Sequence, residues 1–400
     1  MLGSIYVGLS GMEAYSLAMK TISNDVANLD TLGYKASTLS FSDVFSQPEP
    51  SLGHENSEFG GSTGSGVKYN QETVDFTPGT MEQTGGALDL AIDGNGFFAV
   101  QDSNGDTNYT KTGQFSVDSD GYVVDQAGSR LTMLNASNQP EAINISKDKT
   151  NSPVATANIT FGQNLSSSGT TADVPNVTVY DSNGVAHTWD VSLAANTSSA
   201  STGTTADWTV TVKDETGATV GTGTISFNGG TAEPGSDTLV VNTTPSGASA
   251  MAVTLDFSNV TSFSAGTTST LDTSKVDGNA IGSLSSVTVN AQGQVVLNYS
   301  NSQTTTLGSV AMAAFEDQEQ LVRIGSGMFQ NPAKNSVQYG ASGANGVGTL
   351  LTGQVEASNV NLTSEFGNLI LIQRGFDASS QVVSATNDMI QQLFGMRGHE

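Results

Sequence analysis

The sequence predicts a mainly β protein with α-helical termini: paired N- and C-terminal coiled-coil helices, a split antiparallel β-domain and an inserted outer β-domain. Three observations carry this reading. All nine prolines fall between residues 48 and 332, which leaves both ends free to be helical. At the ends, apolar residues recur every three or four positions; in the middle they alternate. The alternating runs are separated by Asn-Gly and Asp-Gly pairs, which supply the positive φ that tight hairpins need.

The first element is residues 1–28. Leu2, Ile5, Leu9, Met12, Met19 and Val26 step by threes and fours, with Ser16 and Ser23 filling the missing steps and Ile22 and Leu29 widening the stripe. Such a stripe lays one helix face on a partner helix. Residues 29–70 read as a linker or long loop, because 48–68 are rich in Gly, Ser and Pro and lack periodicity. Residues 71–147 change to a period of two: Leu88, Leu90 and Ile92, then Phe97–Val100, then Phe115 and Val117, with turns at 93–96, 102–105 and 118–121. Residues 148–282 have a different flavour. From 150 to 282 two cations, Lys213 and Lys275, stand against eleven acids, and both tryptophans, Trp189 and Trp208, lie here. This reads as an inserted outer β-domain with its own small core. Residues 283–359 return to the earlier flavour and complete the split β-domain. Residues 360–400 carry the second helical stripe: Leu362, Phe366, Leu369, Phe376, Val383, Ile390 and Phe394, interrupted by Gln373, Ser380 and Asn387. Polar residues on a seam weaken packing but fix register and partner number. Thr363 and Glu365 are start signals, and Gly395 and Gly398 stop signals. The nested order places both termini at one end.

Composition narrows the function. At 400 residues the chain exceeds the size at which single cores stop growing, roughly 250–300 residues. Thirteen basic and 38 acidic residues give 13 − 38 = −25, so phosphate backbones and anionic membranes repel it. No nucleic acid and no membrane insertion are expected; no run of 18 apolar residues exists. Charged residues make up only 13% of the chain, about half of the usual ~25%. There is no cysteine, which excludes disulfides, thiolate metal sites and Cys nucleophiles. The three histidines, His54, His187 and His399, are scattered. The fragments DSNGD (102–106) and DSDG (118–121) lack the full frame of a calcium loop and read as hairpin turns. No phosphate-binding glycine loop or nucleophile elbow occurs. The chain is therefore not expected to be an enzyme: no catalytic, cofactor or metal residue is assigned. The N-terminus lacks a basic leader and carries Glu13, so it is a poor secretory signal.

Residues Ala27-Asn28-Leu29-Asp30-Thr31-Leu32-Gly33-Tyr34-Lys35 resemble the ANxxTxGYK signature of the axial-protein family of the bacterial flagellum, which comprises rod, hook and hook-associated proteins. Leu32 stands where that family usually has proline. LDLAIDGNGFFAV (88–100), YTKTGQFSVDSDGYVVD (109–125) and residues 356–393 are similar to the same family. The middle phrases VTVYDSNGVAHTW (177–189) and LDFSNVTSF (255–263), with residues 287–329, resemble its hook members. The alternatives are a distal rod or other axial component, or an exported β-rich adhesin.

The resemblance implies a subunit exported unfolded by the flagellum's own type III export apparatus, without a cleavable signal, to the cell exterior. It implies a helical homopolymer forming a curved hollow tube, a universal joint that passes motor torque to the filament for swimming. Its other implied partners are the flagellar rod, the hook cap and the hook-associated junction proteins. The residues expected to drive assembly are the stripes Ile5, Leu9, Met12, Met19 and Val26, and Phe366, Leu369, Phe376, Val383 and Ile390. The helices are expected to be loose in the monomer and to order in the polymer.

Overall fold

The computed structural model describes residues 2–44, 66–196, 205–332 and 337–397. The chain is mainly β with a long helix at each end, and it divides into two compact units: residues 1–146, 287–296 and 306–400, and residues 147–286 and 297–305.

The first unit opens with helix α1 (Leu2–Ala27) and closes with helix α2 (Leu362–Arg397). At 1.5 Å per residue they are about 39 Å and 54 Å long. Helix α2 starts at Asn361, whose Oδ1 accepts from Thr363 N (3.0 Å) and Ser364 N (3.2 Å). That N-cap lies two residues before Thr363, the first predicted start signal. Of the two expected stop positions, Gly395 does not end the helix, which is described through to Arg397, next to Gly398. An isolated glycine costs only about 1 kcal/mol within a helix, so a glycine alone does not end one.

Between the helices, strands from both sides of the insertion share sheets. Phe97–Gln101 pairs antiparallel with Thr107–Thr110, Arg130–Leu134 and Met312–Phe315. Leu90–Asp93 pairs with Thr349–Thr352, and Met81–Gln83 with Gln354–Glu356. The core is aromatic: Phe97 meets Phe76 and Phe315 edge-on at 5.4 and 5.6 Å, and Phe315 meets Tyr109 at 4.7 Å. Within the expected linker, Phe41–Asp43 pairs with Val67–Tyr69, and Ser37–Thr38 with Thr73–Val74. The Gly/Ser/Pro-rich run itself lies mostly outside the described residues.

The second unit is an antiparallel meander, Thr171–Tyr180, Ala186–Ala195, Thr205–Lys213 and Thr219–Asn228, continued by shorter strands. Asn158–Asn164 departs from the antiparallel rule, running parallel to Met251–Asp256 and Val260–Thr261. Alternation along each strand buries one face. Trp189, Trp208, Phe161, Phe227 and Phe257 close over valines in a single core, with Phe161 stacked on Phe257 at 4.6 Å.

The acid-containing turns share one device. Asp102 Oδ1 accepts from the backbone N–H of Asn104 and Asp106, both at 2.9 Å, and Asp118 Oδ1 from Asp120 (2.9 Å) and Tyr122 (2.8 Å). The same i+2, i+4 pattern recurs at Asp125, Asn135, Asp181, Asp214 and Asn290. These side chains hold hairpin turns.

Candidate functional site

Two features of the first unit stand out: the seam and outer face of the helix pair, and a buried polar anchor where the pair meets the β-strands.

The helices run antiparallel. A Cβ on Gly8 would fall 2.6 Å from Val383 Cγ2, one on Gly11 would fall 2.8 Å from Ser379 Oγ, and one on Gly375 would enter the Tyr15 ring at 2.5 Å. Glycine at these positions lets the backbones approach closely enough for Val383, Ser379 and Tyr15 to seat. The buried face of α1 continues through Ala14, Ala18 and Ile22 to Asp25. This seam is offset from the predicted α1 stripe. Leu9 is 50% exposed, and Ile5, Met12, Met19 and Val26 are only half-buried. On α2, Leu369, Phe376, Val383 and Ile390 are half-buried, with Val383 against Gly8, while Phe366 is exposed. A search for large apolar residues passes over a seam made of glycine and alanine. The signal that finds it is the run Gly8, Gly11, Ala14, Ala18, which keeps the same three-four step.

The seam leaves several large apolar side chains outside. Tyr6, Ile370, Leu371, Met389, Leu393 and Phe394 are exposed, Leu371 at 72% and Phe394 at 70%. Large apolar side chains left this exposed are candidates for cover by another protein.

The anchor is built from the signature residues. After α1, Asn28 N–H bonds back to Asn24 O and Thr31 N–H to Asn28 O, turning the chain. Gly33 has φ +65° and passes so close to the 111–112 backbone that a Cβ would lie 2.7 Å from Thr112 N. Only glycine meets both demands without strain. Gly33 N–H then donates to Glu356 O at 2.7 Å. Lys35 Nζ lies 2.6 Å from Glu356 Oε1 and 2.7 Å from Thr77 O, and Gly79 N–H donates to the same Oε1 at 2.8 Å. Both side chains are essentially inaccessible. Tyr34 OH donates to Asp25 Oδ1 at 2.7 Å, and Ser37 N–H to Oδ2 at 3.0 Å. Arg323 Nη2 donates to Lys35 O at 2.5 Å, with its guanidinium over the Tyr34 ring at 4.8 Å. Asn359 Oδ1 accepts from Ala36 N at 2.7 Å, and its amide donates to Asp75 O and Thr77 O. The end of α1, the entry to α2 and the β-strands thus share one hydrogen-bonded knot.

The knot is electrostatically costly. Burial pushes the Asp25 carboxyl above the usual carboxylate range, against the lowering effect of the Ser37 and Tyr34 bonds. Burial, with the Asp25 carboxylate beside it, pushes Tyr34 up to about 12. Lys111, buried with Nζ on Gly94 O at 2.9 Å and facing the Phe97 ring at 5.2 Å, is pushed down by burial to about 8. Glu356 Oε2 has no hydrogen-bond partner. Removing one member of such a buried pair costs about 3–5 kcal/mol, because the other charge is stranded.

Among the described residues, no group of three or more His, Asp or Glu could hold a metal ion. No described helix is long and apolar enough to cross a membrane.

Comparison with known proteins covers the whole chain. Residues 5–35 match the model described as flagella basal body rod protein. Residues 91–164 match the flagellar hook protein FlgE/F/G D1 domain, and residues 351–396 the flagellar basal body rod FlgEFG protein C-terminal region. The flagellar hook protein FlgE of Salmonella typhimurium is 31% identical over 97% of this chain and 98% of its own. That of Escherichia coli is 31% identical over the same shares, and that of Treponema pallidum 27% identical over 99% and 100%.

Proposed function

The chain belongs to the flagellar hook protein family and is a structural subunit of the hook; from that premise we propose that its polymer is a curved hollow tube working as a universal joint between motor and filament. The observation that supports this best is the pairing of an uncovered apolar helix face with a rigid anchor. The face gains stability only when neighbouring copies cover it. The anchor ties that face to the β-unit, so torque applied to one reaches the other. The partners in this reading are further copies of the chain, the flagellar rod, the hook cap and the hook-associated junction proteins. Export is by the flagellar type III apparatus, and the working location is outside the cell. The role is mechanical, not catalytic.

The inserted unit is proposed to supply the outer, shifting contacts that set curvature. Its scarcity of Lys and Arg leaves few strong ion pairs to lock neighbours. Its entry and exit strands lie side by side, Thr150 opposite Ser283 and Asn151 opposite Gly282, so a short splice can replace it. Deleting 148–282 is expected to leave tubes in negative-stain micrographs, but straight or of altered curvature. Normally curved tubes from the deleted chain would refute the curvature role; no tubes at all would mean that the insertion carries an essential axial contact.

A further inference from the structure

At the upper end of the helix pair lies a cleft of about 260 Å³, walled by Ala18, Ile22, Phe41 and Ile372 and bordered by Ser37, Glu365 and Asn368. The Ser37 hydroxyl is buried and has no hydrogen-bond partner. Burial, with the charge of Asp25 added, pushes the Glu365 carboxyl above its usual range. The cleft is thus an apolar slot with one unsatisfied hydroxyl, that of Ser37, in its lining, a shape that fits an aromatic ring carrying a hydroxyl.

Such a group stands at the other end of the same helix. Tyr6 is 75% exposed, about 24 Å from Ile22 at 1.5 Å per residue. Tyrosine anchors interfaces because its ring takes an apolar pocket while its hydroxyl finds a partner. Two complementary features at opposite ends of one rod cannot satisfy each other within a molecule. Between molecules they make a head-to-tail contact, which builds an open polymer when its rotation does not close a ring. An open polymer is what a hook subunit forms.

We propose that Tyr6 of one copy seats in the Ala18–Ile22–Ile372 cleft of the next, its hydroxyl bonding to Ser37. The proposal rests on the hook-polymer reading and names the contact that propagates it along the axis.

The cysteine-free chain allows a direct test. In the full-length double variant Tyr6→Cys, Asn368→Cys, an intrachain link is out of reach. Gly8 faces Val383, so position 6 lies level with residues near 385, about 25 Å along α2 from 368. Oxidised tubes of this variant are expected to run as a ladder of covalent multimers on a denaturing gel, whereas each single variant stops at monomer or dimer. Intact tubes without a ladder overturn the proposal while leaving the hook reading standing. If the unsubstituted chain forms no tubes, the hook reading fails and takes the proposal with it. If the double variant fails to assemble while Asn368→Cys assembles, the requirement falls on residue 6. Tyr6→Ala is then expected to raise the critical concentration at least about tenfold, and Tyr6→Phe, which keeps the ring, about threefold. Equal critical concentrations for Tyr6→Ala and the unsubstituted chain would overturn the proposal.

Discussion

The core of the inserted unit and the seam of the terminal helices solve opposite problems. In the inserted unit the largest side chains point inward: Trp208 and Trp189 are buried, and Phe161 stacks on Phe257. In the helix pair the smallest residues face inward, and Tyr6, Leu371 and Phe394 face out. The first arrangement completes a fold within one chain. The second brings the backbones together with glycine and alanine and leaves large apolar groups exposed. Where a chain spends its large side chains thus tells which parts are finished alone and which are finished by assembly.

Substitutions that exchange the two solutions break this contrast most sharply. Val383→Asp places a carboxylate against Gly8 in the seam, where an unpaired charge costs several kcal/mol. The expected outcome is no tubes by electron microscopy and a loss of helical far-UV circular dichroism from the monomer, with the β-sheet melting transition unchanged. Normal tubes would show that the seam is not needed for assembly. Trp208→Ala should do the reverse. It removes a fully buried side chain from the inserted unit, at a cost of about 3–5 kcal/mol. Calorimetry should show that unit's transition lowered by roughly 10 °C while the helical signal stays. A joint loss of both would mean that the two units unfold as one.

The smallest effect sharpens the comparison at the anchor. Lys111 titrates near 8 in the folded protein, well below a free lysine. Between pH 8 and a free lysine's value near 10.4, the unfolded chain keeps a proton that the folded chain has shed. Stability should therefore rise with pH across that window, and the burial penalty should be fully present below pH 8. Lys111→Met should flatten this rise and add about 1–2 kcal/mol at pH 7, read from denaturant unfolding at several pH values. An unchanged pH slope would place the charge elsewhere.

How legible each region was follows from the same contrast. The strands of the inserted unit are readable because every second residue from Val177 to Tyr180 and from Trp189 to Leu193 is apolar and buried. The helices are readable as helices from their three-four steps and absent prolines. The face they use is not, because Gly8 and Gly11 carry no hydropathy signal and their role depends on what stands opposite. The parallel pairing of Asn158–Asn164 has no local marker, since alternation is the same in either direction. Asn361 is hard to tell from Thr363 as a cap, because both are residue types that cap helices and they stand two positions apart. The signature pointed to a family through Gly33, Tyr34 and Lys35, yet nothing near Lys35 announces Glu356, its partner 321 residues away.

That separation orders events in time. A chain delivered from its first residue onward presents Lys35 long before Glu356 exists beside it. Closing so long a loop carries an entropy cost that grows with its length, and no short-range contact can substitute for it. A chain that ends before Glu356 lacks this ion pair and, with it, the closed knot that joins the end of α1 to the entry of α2.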